Sequence, residues 1–211
     1  MKKKIVFIGN SIVNGYPFSR GRSFPGIVRT GLKEGTPADE FSRRGFGFDV
    51  INKGVNGETI TGIMERLDRD VIAHNPDLVF VLTGTNDFIY RENTPEEAFA
   101  GLKEIKKRLG ETHPNATLVY MTPLPIDAAK AEAMWLVGLG IAYGAVRKQL
   151  DMLSDIIRNS GEHFVDTNRL YAEYIAGLDD PETAYVDGIH PQQQGQQFIA
   201  DCVLNWMREN Y

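Results

Sequence analysis

The chain has 211 residues, 42% hydrophobic and 24% charged, an ordinary globular balance that argues against disorder and suits one α/β domain over residues 1–211. A net charge of -5 argues against general affinity for nucleic acid or anionic membranes. The single cysteine, Cys202, excludes an internal disulfide and a cysteine-based zinc site.

Met1-Lys-Lys-Lys has the basic character of a signal-peptide start. Only four apolar residues, Ile5 to Ile8, follow before Gly9-Asn10, too few for the apolar region of such a signal, so a cytoplasmic protein is expected. Those four residues read as a first buried strand, and Val50–Ile51 as a weaker second one. Ile60, Ile63, Leu67 and Val71 mark one face of a helix. Leu78–Leu82 is a third strand. Thr94-Pro-Glu-Glu97 starts another helix: threonine caps, proline fits the first turn, and Glu97 completes a capping box. Phe99, Leu102, Ile105 and Leu109 then form its inner face, and Leu118–Met121 is a fourth strand. Ala133 to Val146 is the longest uncharged, mostly apolar stretch, fourteen residues with three glycines, which is too short to span a bilayer. Within it, Trp135 to Tyr143 reads either as a lid or subunit contact or as a helix packed on the core. A long helix covers about 142–159, and Phe164–Val165 is a fifth strand. Phe198, Ile199, Cys202, Val203, Trp206 and Met207 make the apolar stripe of a last helix.

Strands alternating with helices predict a parallel sheet with helices on both faces, a three-layer α/β/α sandwich. Ligands of such sheets bind at the carboxyl ends of the strands. Ser11 follows the first strand, Asn56-Gly57 the second, Asn86-Asp87 the third and Thr122-Pro123 the fourth, so all fall on one rim. Taken singly, each has a plain structural reading. Ser11 suits a helix cap, Asp187 an Asx-turn before Pro191, and Asn86-Asp87 a turn at a strand end. Taken together they form a site for acyl transfer. A serine hydroxyl needs a base, and His190 is the best candidate. An imidazole needs a carboxylate to hold its tautomer, and Asp187 is three residues away. A tetrahedral oxyanion needs fixed donors, for which the backbone N–H groups of Ser11 and Gly57 and the Asn86 amide are suited.

These segments resemble the SGNH subgroup of the GDSL lipases and esterases. Gly9-Asn-Ser-Ile12, Asn52-Lys-Gly-Val-Asn-Gly57, Gly84-Thr-Asn-Asp87 and Asp187-Gly-Ile-His190-Pro191 match the four blocks of that family in order, across residues 5 to 191. The resemblance implies Ser11 as nucleophile, Gly57 and Asn86 as oxyanion donors, and Asp187 and His190 as the rest of a triad. It also implies five parallel strands in the flavodoxin-like order 2-1-3-4-5, and ester hydrolysis through an acyl-serine with neither cofactor nor metal. Asn10 and Ile12 stand where the family name has aspartate and leucine, which changes the charge beside the nucleophile.

Tyr16, Phe88, Tyr90, Pro123, Leu124 and Ile189 are expected to line the substrate pocket, bulky enough to favour short acyl or acetyl esters. A thioesterase or lysophospholipase acting on longer acyl groups is the alternative within enzymes. From another class, a non-catalytic flavodoxin-like protein would cradle a phosphate in the loop Ser11 to Gly15, but that loop lacks the Walker and dinucleotide glycine patterns. Arg20, Arg22, Arg43 and Arg44 could hold an anionic group, although solvated loop charges are the plainer reading. The remaining histidines, His74, His113 and His163, show no metal-ligand spacing. The expected partner is a small-molecule ester, with no nucleic acid and no membrane span; nothing in the chain indicates an oligomeric state.

Overall fold

Side-chain alternation along the first strand decides the layering. In the computed structural model, which describes residues 2–33, 41, 45, 47–91, 93–135 and 140–210, Ile5 and Phe7 enter one core and Val6 and Ile8 the other. All four are fully buried, which is why the run is apolar throughout rather than alternating. This strand, β1 (Lys2–Gly9), belongs to one sheet with β2 (Gly47–Gly54), β3 (Leu78–Leu82), β4 (Thr117–Met121) and β5 (Phe164–Val165). The order is β2-β1-β3-β4-β5 and every pairing is parallel, as expected. Ile5 lies opposite Val50 on one side and Leu78 on the other.

The described helices are α1 (Ser11–Asn14), α2 (Phe24–Gly31), α3 (Ile60–Asp70), α4 (Thr85–Tyr90), α5 (Pro95–Thr112), α6 (Ala128–Met134), α7 (Tyr143–Arg158), α8 (Thr167–Ala176) and α9 (Gln193–Asn210). Helices α2, α8 and α9 cover the face presented by Ile5, Phe7, Phe80 and Val119. Phe7 stacks on Phe80 with centroids 4.9 Å apart, and Trp206 of α9 meets Phe80 edge-on at 5.6 Å. Helices α3, α5 and α7 cover the opposite face, presented by Val6, Ile8, Val79, Val81 and Tyr120. Thr94 and Glu97 make both bonds of the expected capping box at the start of α5.

Strand β2 is longer than the Val50–Ile51 expected. It is an edge strand that pairs along the whole of β1, and only Val50 and Gly54 in it are buried. Asp49, Asn52 and Lys53 therefore belong to the strand without contributing an apolar signal. The segment Trp135 to Tyr143 is no continuous helix in its described part. Helix α6 ends before Trp135, residues 140–142 are not helical, and α7 starts at Tyr143; residues 136–139 lie outside the described ones. Among the described residues no helix is long and apolar enough to cross a membrane.

Candidate active site

The first segment of the site is shaped by a close approach of two loops. A Cβ on Gly9 would stand 2.7 Å from Val13 Cγ2 and 2.9 Å from the Leu82 carbonyl carbon, so only glycine lets the ends of β1 and β3 meet there. Asn10 then caps α1, its Oδ1 accepting the Ile12 N–H at 3.0 Å. Asparagine caps a helix about as well as aspartate, so its replacement of the family's aspartate leaves this turn intact. Ser11 is the first residue of α1, where backbone N–H groups have no intrahelical acceptor. Its Oγ lies 2.8 Å from His190 Nε2, across 179 residues of sequence.

Asp187 and His190 sit in a short loop closed by an isolated bridge between Tyr185 and Pro191 and by the Val186 N–H on the His190 carbonyl at 2.8 Å. Asp187 Oδ1 accepts the N–H groups of Ile189 and His190 at 3.0 and 2.9 Å, which is the Asx-turn expected from the sequence. That turn aims the other oxygen, Oδ2, at His190 Nδ1, 2.7 Å away. Burial pushes the Asp187 carboxyl up, but the hydrogen bond and charge of His190 and the two backbone donors outweigh it, and the group is held below its ordinary range. An ionised Asp187 assigns the proton to Nδ1, leaving Nε2 to accept from the Ser11 hydroxyl. Tyr16 packs edge-on against the imidazole, with centroids 4.7 Å apart.

The loops after β2 and β3 supply the other half. Gly57 has φ +76°, a conformation that favours glycine. Asn86 Nδ2 donates to the Glu58 carbonyl at 2.9 Å. The fully buried Asp87 accepts the Ile60 N–H at 3.0 Å, at the N-terminus of α3, and the Thr83 hydroxyl lies 3.5 Å from its second oxygen. Burial raises the Asp87 carboxyl above its ordinary range despite these donors. Neighbouring side chains of α4 thus stitch the two loops together. Ser11, His190, Gly57 and Asn86 open on one cavity of about 220 Å³, while Asp187 sits behind the imidazole.

Of the expected pocket residues, Tyr16, Tyr90 and Ile189 line this cavity, and Phe88, Pro123 and Leu124 do not. Helical geometry explains Phe88. Asn86, Ile89 and Tyr90 share one face of α4 at i, i+3 and i+4, while Phe88 at i+2 faces the core under α3, α5 and α7. The chain after β4 turns toward α8 instead. Asn168 Nδ2 holds the Pro123 carbonyl at 3.0 Å, and Leu124 is buried in the core on the α8 side. Asn10, Asn56, Thr85 and Ile89 complete the wall and were not anticipated as pocket residues, together with Trp135 and Tyr143, the two ends of the segment for which a lid was one expected reading. Asn10, Asn56 and Thr85 lie inside the motif segments, and Ile89 is one helical turn from Asn86, so adjacency to the motifs was the available signal. Arg20 is engaged by the protein itself: Nε donates to Asn14 Oδ1 at 2.9 Å, and Nη1 and Nη2 to the carbonyls of Asn52 and Gly54 at 3.2 and 3.1 Å. Arg22 lies 5.0 Å from the centre of the Phe18 ring. Arg43 and Arg44 lie outside the described residues. Among the described residues no three His, Cys, Asp or Glu side chains group as a metal site would need.

The chain is similar to known esterases along nearly its whole length. An acetylxylan esterase of Geobacillus stearothermophilus is 27% identical, over 98% of this chain and 96% of that one. An arylesterase of Vibrio mimicus is 25% identical, over 95% of this chain and 86% of its own. The crystal structure of a catalytic mutant of an acetylxylan esterase from Geobacillus stearothermophilus superposes with a TM-score of 0.73, at 24% identity, over 97% of this chain and 94% of that one. The family model described as GDSL-like lipase/acylhydrolase matches residues 7–198, a span that holds all four motif segments and the Ser11–His190–Asp187 arrangement; the chain belongs to that family.

Proposed function

We propose that Ser11, His190 and Asp187 are the catalytic triad of this carboxylic ester hydrolase, and that its substrates are short-acyl esters, acetylated carbohydrates among them. The observation that carries the reading is the unbroken hydrogen-bonded chain from Ser11 Oγ through both imidazole nitrogens to Asp187 Oδ2, at 2.8 and 2.7 Å, opening on a cavity walled by Gly57 and Asn86. In this reading Ser11 Oγ attacks the ester carbonyl carbon and His190 Nε2 takes the hydroxyl proton. Asp187 stays ionised and stabilises the imidazolium. The tetrahedral oxyanion receives the N–H groups of Ser11 and Gly57 and the amide N–H of Asn86 not given to Glu58. His190 passes its proton to the departing alcohol oxygen, leaving an acyl-serine. Water, deprotonated by the same nitrogen, then releases the acid.

Cavity size supports a short acyl group. About 220 Å³ lies below the roughly 300–1,000 Å³ usual for drug-sized ligands, and the bulky side chains of Tyr16, Tyr90, Tyr143, Trp135 and Ile189 line it. Exposed rings of Tyr16, Tyr90 and Trp135 beside the Asn56 amide offer apolar faces and hydrogen-bonding groups together, which suits a sugar alcohol; the acetylxylan esterase relative supports the same class. Ser11→Ala tests the reading. Turnover of p-nitrophenyl acetate and acetyl release from acetylated xylooligosaccharides should fall to background, with Tm unchanged and labelling by a fluorophosphonate lost. Wild-type turnover in that variant would overturn the assignment. Failure of the unaltered protein to label would favour the non-catalytic binding reading.

A further inference from the structure

One buried guanidinium touches two of the segments that carry the site and, through Glu58, bears on a third. Arg66, on α3, is only 9% exposed. Its Nε forms an ion pair with Glu58 Oε2. Its Nη1 donates to the Lys53 carbonyl at 2.9 Å and to Asp70 Oδ2 at 3.2 Å, and its Nη2 reaches the Gly9 carbonyl at 3.4 Å. Four of the five N–H donors of the fork are thereby used. Gly9 ends β1 two residues before Ser11. Lys53 lies in β2 just before the loop that carries Gly57. Glu58 follows Gly57 directly, and its carbonyl holds the Asn86 amide at 2.9 Å. A buried ion pair of this kind contributes little net stability against apolar residues of the same volume, so its value lies in the geometry it imposes.

We propose that Arg66, acting through Glu58, is the positioning residue of the oxyanion hole. It fixes the Gly57-Glu58 segment, and through the Glu58 carbonyl the Asn86 amide, against the loop that presents Ser11. The proposal rests on Gly57 and Asn86 being the oxyanion donors. Gly62 is part of the same device. A Cβ there would stand 3.0 Å from Glu58 Cδ and closer still to Oε1, so glycine leaves room for the carboxylate to lie over the first turn of α3 toward Arg66.

The test measures kcat and KM on p-nitrophenyl acetate for Arg66→Met, Arg66→Lys, Glu58→Gln and Gly62→Ala, each alone and combined with Asn86→Ala. Active enzyme is counted by exhaustive fluorophosphonate labelling. Arg66→Met and Glu58→Gln should each lower kcat by about 10- to 100-fold, less than outright removal of a donor, with KM changed by less than about twofold. Arg66→Lys keeps the charge but not the fork, and should recover part of the loss. Residues acting through one shared partner are non-additive, so in the Asn86→Ala background the same changes should cost no more than about threefold. Full multiplication of the two effects would overturn the proposal, as would a lowered Tm with kcat per active site unchanged. If Arg66→Met does not fold, Glu58→Gln and Gly62→Ala, which leave Arg66 in place, decide the matter by the same criteria. A silent Asn86→Ala would reject the donor assignment itself, a result visible without any change at Arg66.

Discussion

Asn86 has one amide N–H engaged with the Glu58 carbonyl, which orients the group before substrate arrives. As the proposed oxyanion donor it meets its full partner only when charge develops on the carbonyl oxygen. Asn86→Ala should therefore lower kcat by on the order of 10²–10³ with a small change in KM. A change confined to KM in steady-state kinetics would make it a substrate-binding residue instead. The adjacent Asp87 obeys a different rule. Burial holds its carboxyl above the ordinary range, so the folded protein binds a proton more tightly there than the unfolded chain does. Stability from this group is fully present below the ordinary carboxylate pKa and is lost as pH rises through the raised folded value. Asp87→Asn keeps an acceptor for the Ile60 N–H and gains a donor for Thr83. The Tm of the variant relative to the parent should rise as pH increases from about 4, the ordinary carboxylate value. A difference that is flat or falls with pH, by calorimetry from that value upward, would show that ionised Asp87 is not strained.

Among elements, α5 separates stability from catalysis. Thr94 Oγ1 accepts the Glu97 N–H at 3.2 Å and Glu97 Oε2 accepts the Thr94 N–H at 2.8 Å, so two donors of the first turn are satisfied locally. None of α5 lines the cavity. Thr94→Ala should cost about 1 kcal/mol, or roughly 2–4 °C in Tm for a chain of this size, with kcat and KM unchanged. A comparable loss of kcat at a temperature where the variant is folded would tie α5 to the site. Helix α4 is the opposite case. Its side chains place Asn86, Ile89 and Tyr90 on the cavity and Phe88 in the core, so a single short element serves both packing and the candidate site.

At the scale of the whole molecule, the proposed preference for short acyl groups rests on the cavity. The cavity lies where the loops after β1, β2 and β3 meet the Asp187–His190 loop, and aromatic side chains line it. A growing acyl chain gains roughly 0.8 kcal/mol per methylene only while buried space remains. On p-nitrophenyl esters of increasing length, kcat/KM should peak between acetyl and butyryl and fall by octanoyl. A rate still climbing through decanoyl would favour a thioesterase or lysophospholipase activity.

The sequence by itself determined the elements whose cause is local. Apolar runs marked Leu78–Leu82 and Phe164–Val165 with the bounds found, and the capping box marked the start of α5. Gly9-Asn-Ser, Asn56-Gly57, Asn86-Asp87 and Asp187–His190 were legible because each segment combines chemical groups with a turn that neighbouring residues create. Tertiary structure decided what depends on residues distant in the chain. Strand β2 gains its full length from pairing with β1, not from its own polar residues. Pro123 and Leu124 stay out of the cavity, held by Asn168 and by the core on the α8 side, whereas Trp135 and Tyr143 reach it from the ends of two helices. Arg66 looks like one more charge on a helix until the fold brings Gly9, Lys53 and Glu58 around it. The physical reason is common to all of these: covalent neighbours dictate backbone conformation and chemical type, but which side of a short helix or loop meets a partner is set by packing between segments that the sequence does not place together.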